Sequence, residues 1–96
     1  MECNKHKLLI ELGRIIEKYG EQTPKRHGSE WNLLLKSGIR FWHDDYNHAV
    51  KAFYPDGSSF YYGMDFGDQG KNEAMLNVSI NNFISTIELI KYEKEK

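Results

Sequence analysis

Residues 50–62 read Val-Lys-Ala-Phe-Tyr-Pro-Asp-Gly-Ser-Ser-Phe-Tyr-Tyr, and this stretch predicts a β-hairpin. Pro55 fixes φ at the first turn position, and Gly57 supplies the positive φ that closes a three-residue loop. A loop of that length sets the pairing of the two strands, so that Lys51 faces Tyr61. Because side chains alternate along a strand, the pairing also divides the hairpin into two faces.

A second hairpin is predicted just before it, with Asp44-Asp45-Tyr46-Asn47 as its loop. With this loop His43 faces His48, and Arg40 faces Lys51 in a mildly destabilising like-charged pair. The two turns agree on which residues share a face. The predicted core face carries Ile39, Phe41, Val50, Ala52, Phe60, Tyr62, Met64 and Phe66. The other face carries Asp65 and five residues that we name the aromatic–cation face: Arg40, Trp42, Lys51, Phe53 and Tyr61.

The remaining elements follow from hydrophobic spacing. Helical periodicity predicts one amphipathic helix over residues 3–19, ended by Gly20, and another over 81–94, whose apolar stripe is Phe83, Ile84, Ile87 and Ile90. Gly13 either weakens the first helix or lets another element approach closely. Residues 20–28 are predicted as a polar linker and residues 67–72 as a loop. Alternation predicts four strands, over 39–43, 48–54, 59–66 and 75–80. Residues 29–37 fit a short helix capped by Ser29 but also alternate as a strand would, and we favour the helix. The sequence therefore predicts an α+β fold: a four-stranded, mainly antiparallel β-meander with N-terminal and C-terminal helices and a short helix between.

Composition limits the class of protein. The chain has 96 residues, 40% hydrophobic content and a formal net charge of −1, which predicts a single domain over residues 1–96. A charge so near zero gives no field that would draw the chain to extended nucleic acid or an anionic membrane. Its apolar runs are too short for a membrane span. The single cysteine, Cys3, suggests a reducing compartment, and we expect a cytoplasmic location.

The aromatic–cation face has three interpretations. A helix could cover it and make it a second core, since buried aromatic rings are usually core. Against this, Arg40 and Lys51 lie mid-strand, where burial would require paired partners. An exposed face would offer rings for stacking a planar ligand, and cations for phosphate or carboxylate. The same apolar surface would also suit a subunit interface.

Residues 43–48 are the candidate for chemistry. Their two histidines and two aspartates suggest a divalent metal or proton transfer, with His43, Asp45 and His48 as the candidate metal ligands. The spacing matches no metal-binding signature, and Asp-Asp-Tyr-Asn is ordinary turn composition.

A domain this small uses most of its residues for folding, which favours binding over catalysis. We therefore expect a non-catalytic intracellular binding protein without a cofactor, assembled as a homo-oligomer. It would use the aromatic–cation face to capture and sequester a planar anionic, nucleotide-like ligand. One alternative is a protein-directed inhibitor or immunity-type partner protein. The other is a metal-dependent hydrolase centred on His43, Asp44, Asp45 and His48.

Overall fold

A computed structural model describes residues 2–63 and 78–95, which form two helices and a five-stranded antiparallel sheet. In chain order the elements are α1 (Glu2–Tyr19), β1 (Glu21–Pro24), β2 (Ser29–Leu34), β3 (Arg40–Asp44), β4 (Ala49–Phe53), β5 (Ser59–Gly63) and α2 (Ile80–Lys94). Each strand pairs with the next in sequence, so the sheet is a meander. The predicted α+β class and its two terminal helices are confirmed, with five described strands in place of four.

The additional strands come from residues predicted as a linker and a short helix. Residues 20–28 contain β1, and the helix predicted over 29–37 is wrong because β2 occupies its first six residues. Gly28, with φ of +80°, turns the chain between them, and its carbonyl accepts a hydrogen bond from the Lys25 amide at 3.0 Å. A nine-residue helix is marginal alone, whereas a strand here pairs on both edges.

The β4–β5 hairpin has the predicted pairing. Lys51 faces Tyr61, and the Tyr54 amide donates to the Ser58 carbonyl at 2.9 Å to close the loop. Gly57 has the expected positive φ of +95°. The turn residues therefore determined this register.

The β3–β4 hairpin pairs two residues away from its predicted register. Arg40 faces Phe53 and not Lys51, and Lys51 faces Trp42. The like-charged pair that the sequence suggested is therefore absent. Because side chains alternate with a period of two, an offset of two residues leaves every side chain on its predicted face.

The offset arises because the loop lies one residue later than predicted. Asp44 pairs with Ala49 as part of the ladder, and His48 enters the turn with φ of +55°. His43 consequently faces Val50, so the predicted cross-strand pairing of His43 with His48 is wrong.

The described core lies between the two helices and one face of the sheet. Its members include Leu9, Leu12, Ile15, Ile16, Leu33, Phe41, Val50, Ala52, Tyr62, Phe83, Ile87 and Ile90. Phe60 and Ile84 were predicted in this core but are 43% and 39% exposed. Phe60 lies on an outer strand of the described sheet, and in α2 the buried stripe passes through Thr86 instead of Ile84.

α2 begins where the fourth strand was predicted to end. Ser79 is its N-cap, and the Ser79 hydroxyl accepts a hydrogen bond from the Asn82 amide at 3.0 Å. The strand predicted over 75–80 is therefore wrong at its last three residues. Residues 75–77, the predicted loop 67–72, and Met64, Asp65 and Phe66 lie outside the described residues.

Candidate functional site

The aromatic–cation face lies on the side of the sheet opposite α1 and α2. Trp42, Lys51 and Tyr61 form one row across β3, β4 and β5, and Arg40 and Phe53 form a second row. Arg40 is exposed, and the other four side chains are half-buried. Both described helices pack on the core face instead, so neither buries these residues.

The ring of Phe53 lies beneath both cations. The Arg40 guanidinium carbon lies 4.2 Å from its centroid, and the Lys51 ammonium nitrogen lies 5.3 Å away. A cation over an aromatic ring at an exposed site contributes about 0.5–1 kcal/mol. Phe53 therefore contacts both cations of the face through its ring.

No acidic side chain within the described ranges pairs with Arg40 or Lys51. The predicted neighbour Asp65 lies outside those ranges. Although the whole chain carries a net charge of −1, this part of its described surface is locally positive. Such a patch favours a carboxylate or phosphate partner.

Trp42, Phe53 and Tyr61 line none of three clefts formed by the described residues, whereas Arg40 lines one of them together with Tyr19 and Lys94. Small-molecule sites are usually concave, whereas interfaces between proteins are usually flat.

Residues 43–48, the candidate for chemistry, do not form one site in the structure. His43 is the most constrained of them. His43 is 5% exposed, and its Nδ1 donates to the Ala49 carbonyl at 3.0 Å. Its Nε2 lies 2.9 Å from Oε2 of Glu17. His43 thus links α1 to the sheet through its two ring nitrogens.

Gly13 explains how the helix approaches so closely. A Cβ atom at this position would lie 2.8 Å from Cε1 of His43. The sequence suggested that a glycine in the middle of α1 either weakens the helix or admits a neighbour, and the second reason holds.

Asp44 has a structural role. Its Oδ2 accepts from Lys25 Nζ at 2.8 Å, and its Oδ1 accepts from the Tyr46 amide at 3.0 Å. Burial raises the pKa of the Asp44 carboxyl, but the hydrogen bonds from Lys25 and the loop outweigh burial and hold that pKa below its usual value. Asp44 therefore joins the β1–β2 and β3–β4 loops.

Asp45 is also used as an acceptor. Its Oδ1 accepts from the Ser29 amide at 2.8 Å, and its Oδ2 lies 3.5 Å from Nε1 of Trp31. Within the described residues, no group of three histidine, cysteine, aspartate or glutamate side chains has the arrangement of a metal site.

A cleft lies between α1 and the β3–β4 loop, and we name it the α1–loop cleft. Its volume is about 320 Å³. The residues that form its walls are Leu9, Ile10, Arg14 and Glu17 from α1 and Asp45 and His48 from the loop. It therefore combines an apolar wall with charged groups.

Comparisons with protein-family models, with curated proteins and with solved structures find no match for this chain. Neither described helix has the length and apolar character needed to cross a bilayer.

Sequence reasoning missed the helical side of the α1–loop cleft. Arg14 and Glu17 fit the solvated side of an amphipathic helix, and nothing in the local sequence connects them to His43. The one usable signal was Gly13, because a glycine within a helix often marks a close approach.

Proposed function

We propose that this protein is a non-catalytic binding protein whose aromatic–cation face contacts an acidic surface on a partner protein. One observation carries the proposal: Phe53 holds Arg40 and Lys51 on a sheet face that neither described helix covers. Holding the two cations in place before contact lowers the entropy cost of ordering their long side chains.

The arrangement of the rings favours a protein partner over a planar ligand. The ring of Phe53 already faces Arg40, so it is a poor stacking surface for a base. Trp42 and Tyr61 lie on strands separated by β4, about 10 Å apart between backbones, with Lys51 between them. Two rings so far apart do not sandwich one planar molecule, but they suit a broad contact.

The composition of the face supports the same proposal. Residues that dominate binding energy at protein interfaces are enriched in tryptophan, tyrosine and arginine, and Trp42, Tyr61 and Arg40 are of these types. The class of activity that follows is inhibition or neutralisation of another protein by occlusion, which needs no catalytic group in this chain.

A nucleotide-like ligand is the second candidate. It is favoured by one feature, the Trp42–Lys51–Tyr61 row, in which a cation lies beside each ring. A base stacked on Trp42 would place its phosphates near Lys51. Calorimetric titration with ATP, GTP and their monophosphates tests this version, and unchanged affinity in Trp42→Ala and Tyr61→Ala would contradict it.

Native mass spectrometry of the protein purified from its own cells tests the proposal. We expect a complex with a protein of defined stoichiometry whose contact surface is acidic, and we expect Arg40→Glu and Lys51→Glu to dissociate it. Arg26→Glu is the matched control, since Arg26 carries the same charge in the exposed β1–β2 loop. A complex that survives both charge reversals, or a homo-oligomer alone, would contradict the proposal.

A further inference from the structure

We infer that the α1–loop cleft is a second binding site, and that it takes a small carboxylate with a short apolar body. The cleft lies against the helix side of the sheet, away from the aromatic–cation face, and the inference does not depend on the proposed function. Its volume of about 320 Å³ lies at the small end of the range of roughly 300–1,000 Å³ for ligand pockets.

The two carboxylates that line the cleft, Glu17 and Asp45, already contact donors within the protein. Glu17 Oε2 lies 2.9 Å from Nε2 of His43. Both oxygens of Asp45 face N–H donors, the Ser29 amide at 2.8 Å and the Trp31 indole at 3.5 Å. A cationic ligand would have to compete with these internal donors.

Arg14 is the donor that the described cleft leaves for a ligand. Its side chain lines the cleft, and no acidic side chain of the described residues forms an ion pair with it. A guanidinium presents a planar pair of N–H groups that matches a carboxylate in a bidentate geometry. Arg14 therefore offers a carboxylate ligand a charged donor in the cleft.

The apolar wall selects the body of the ligand. Leu9 and Ile10 line the cleft on the same helix as Arg14. Ile10 is 38% exposed, although it is a large aliphatic side chain. Covering it with a ring or a short alkyl chain would remove apolar surface from water. A guanidinium beside an aliphatic wall is the arrangement that a monocarboxylate with an apolar tail requires.

His43 lines the cleft and is held in a fixed position. The imidazole is held at both nitrogens, by the Ala49 carbonyl and by Glu17. Gly13 allows the helix to lie directly on the ring. The cleft is therefore formed before a ligand arrives, which reduces the ordering cost of binding.

Titration with benzoate, followed by NMR, tests the inference on the intact protein. We expect saturable shifts of the Arg14 side-chain N–H signal and of the ring signals of His43 and His48. His6 and His27 serve as internal references, because neither lines the cleft. Benzylammonium, which has a similar body and the opposite charge, should leave the same signals unchanged.

Two arginine variants distinguish a site from general charge attraction. Arg14→Gln should weaken benzoate binding by about 10-fold or more, as expected for a lost charge-assisted bond. Arg26→Gln should bind benzoate like the unmodified chain. Because Arg14 is exposed on α1, glutamine there should leave the helix intact, which circular dichroism checks. Absence of benzoate shifts, equal binding of benzylammonium, or full affinity in Arg14→Gln would overturn the inference.

Discussion

The guanidinium of Arg40 lies over the ring of Phe53, its directly opposite neighbour on β4, with 4.2 Å between the Cζ atom and the ring centroid. The pair exists because the β3–β4 ladder continues through Asp44 and Ala49 before the chain turns. In the register that the sequence suggested, Arg40 would have faced Lys51. The observed register replaces that repulsion with an attraction, and it gathers both cations around one ring.

A double-mutant cycle measures this contact. Arg40→Gln and Phe53→Leu should each destabilise the fold slightly, and the combined variant should show a coupling energy of about 0.5–1 kcal/mol. Urea unfolding of the four proteins gives this coupling energy. Pairing Arg26→Gln with Phe53→Leu is the control and should be additive. Additivity in the Arg40 cycle as well would show that the two side chains do not interact in solution.

Gly13→Ala should destabilise the protein, although alanine normally stabilises the middle of a helix by about 0.5–1 kcal/mol. The reason is the 2.8 Å approach to His43, which forces the imidazole or the helix to move. We expect a loss of about 1–3 kcal/mol on chemical unfolding.

Removing the ring provides the matched test of that explanation. In a His43→Ala background the same Gly13→Ala change should become neutral or stabilising, because the three atoms nearest to the new methyl group all belong to the His43 ring. Ser85→Ala, at an exposed position of α2, reports helix propensity alone. Equal destabilisation with and without the His43 ring would show that the close approach is not the cause.

Tyr62→Phe should destabilise the junction between β5 and α2 by about 1–3 kcal/mol. The Tyr62 hydroxyl donates to the Asn82 side-chain carbonyl and lies 3.1 Å from the Thr86 hydroxyl. Its removal takes this donor from the half-buried Asn82 side chain, whereas the Thr86 hydroxyl keeps its bond to the Asn82 main-chain carbonyl at 2.8 Å. Tyr46→Phe is the control, since Tyr46 is 60% exposed. Similar unfolding midpoints for the two variants would contradict this account.

The Tyr62 hydroxyl should also give the protein a specific alkaline sensitivity. Burial raises the pKa of Tyr62 to about 12. Because the folded pKa lies above the unfolded value of about 10, the contribution is complete below pH 10 and is lost as the pH rises toward 12. The stability of Tyr62→Phe should therefore fall less steeply across this window, measured by unfolding at several pH values. Parallel slopes would contradict the assignment.

Asp44→Asn should weaken the junction of the two loops by about 1–3 kcal/mol at neutral pH, because the Lys25 ammonium loses its charged acceptor. The folded pKa of Asp44 lies below its usual value. Its contribution is therefore present above about pH 4 and is lost as the pH falls through the folded pKa. The difference between the two proteins should narrow in acid, and Glu88→Gln, at an exposed position of α2, is the comparison. A difference that stays constant from pH 7 to pH 2 would contradict this role.

The strand register was predicted most reliably at the turn whose residues allow only one backbone conformation. Pro55 and Gly57 predicted the β4–β5 register correctly. Side-chain alternation also assigned the faces of the β3–β4 hairpin correctly, although the predicted register of that hairpin was wrong by two residues. The error at the β3–β4 loop has a specific cause. His48 takes a positive φ that a non-glycine residue rarely adopts, and composition does not reveal this.

Other features depend on contacts between distant parts of the chain. The helix predicted over residues 29–37 is wrong because β2 pairs with strands on both sides. Helical propensity reflects the local sequence and carries no information about such pairing. Glu17 and His43 form a contact although they are 26 positions apart in the sequence. The position of Glu17 on α1 predicts only exposure to solvent, so the sequence gives no indication of this contact. Of the candidate sites, the aromatic–cation face followed from strand alternation, whereas the α1–loop cleft required the tertiary fold.

Site-specific photo-cross-linking in the protein's own cells shows whether the aromatic–cation face contacts an acidic partner protein. The photoreactive residue p-benzoylphenylalanine would replace Trp42 on the face or, as the control, exposed Tyr46 in the β3–β4 loop. We predict one discrete cross-linked protein from position 42, none from position 46, and loss of the product when Arg40→Glu is added. Equal cross-linking from both positions, or a product from position 42 that persists with Arg40→Glu, would contradict the claim.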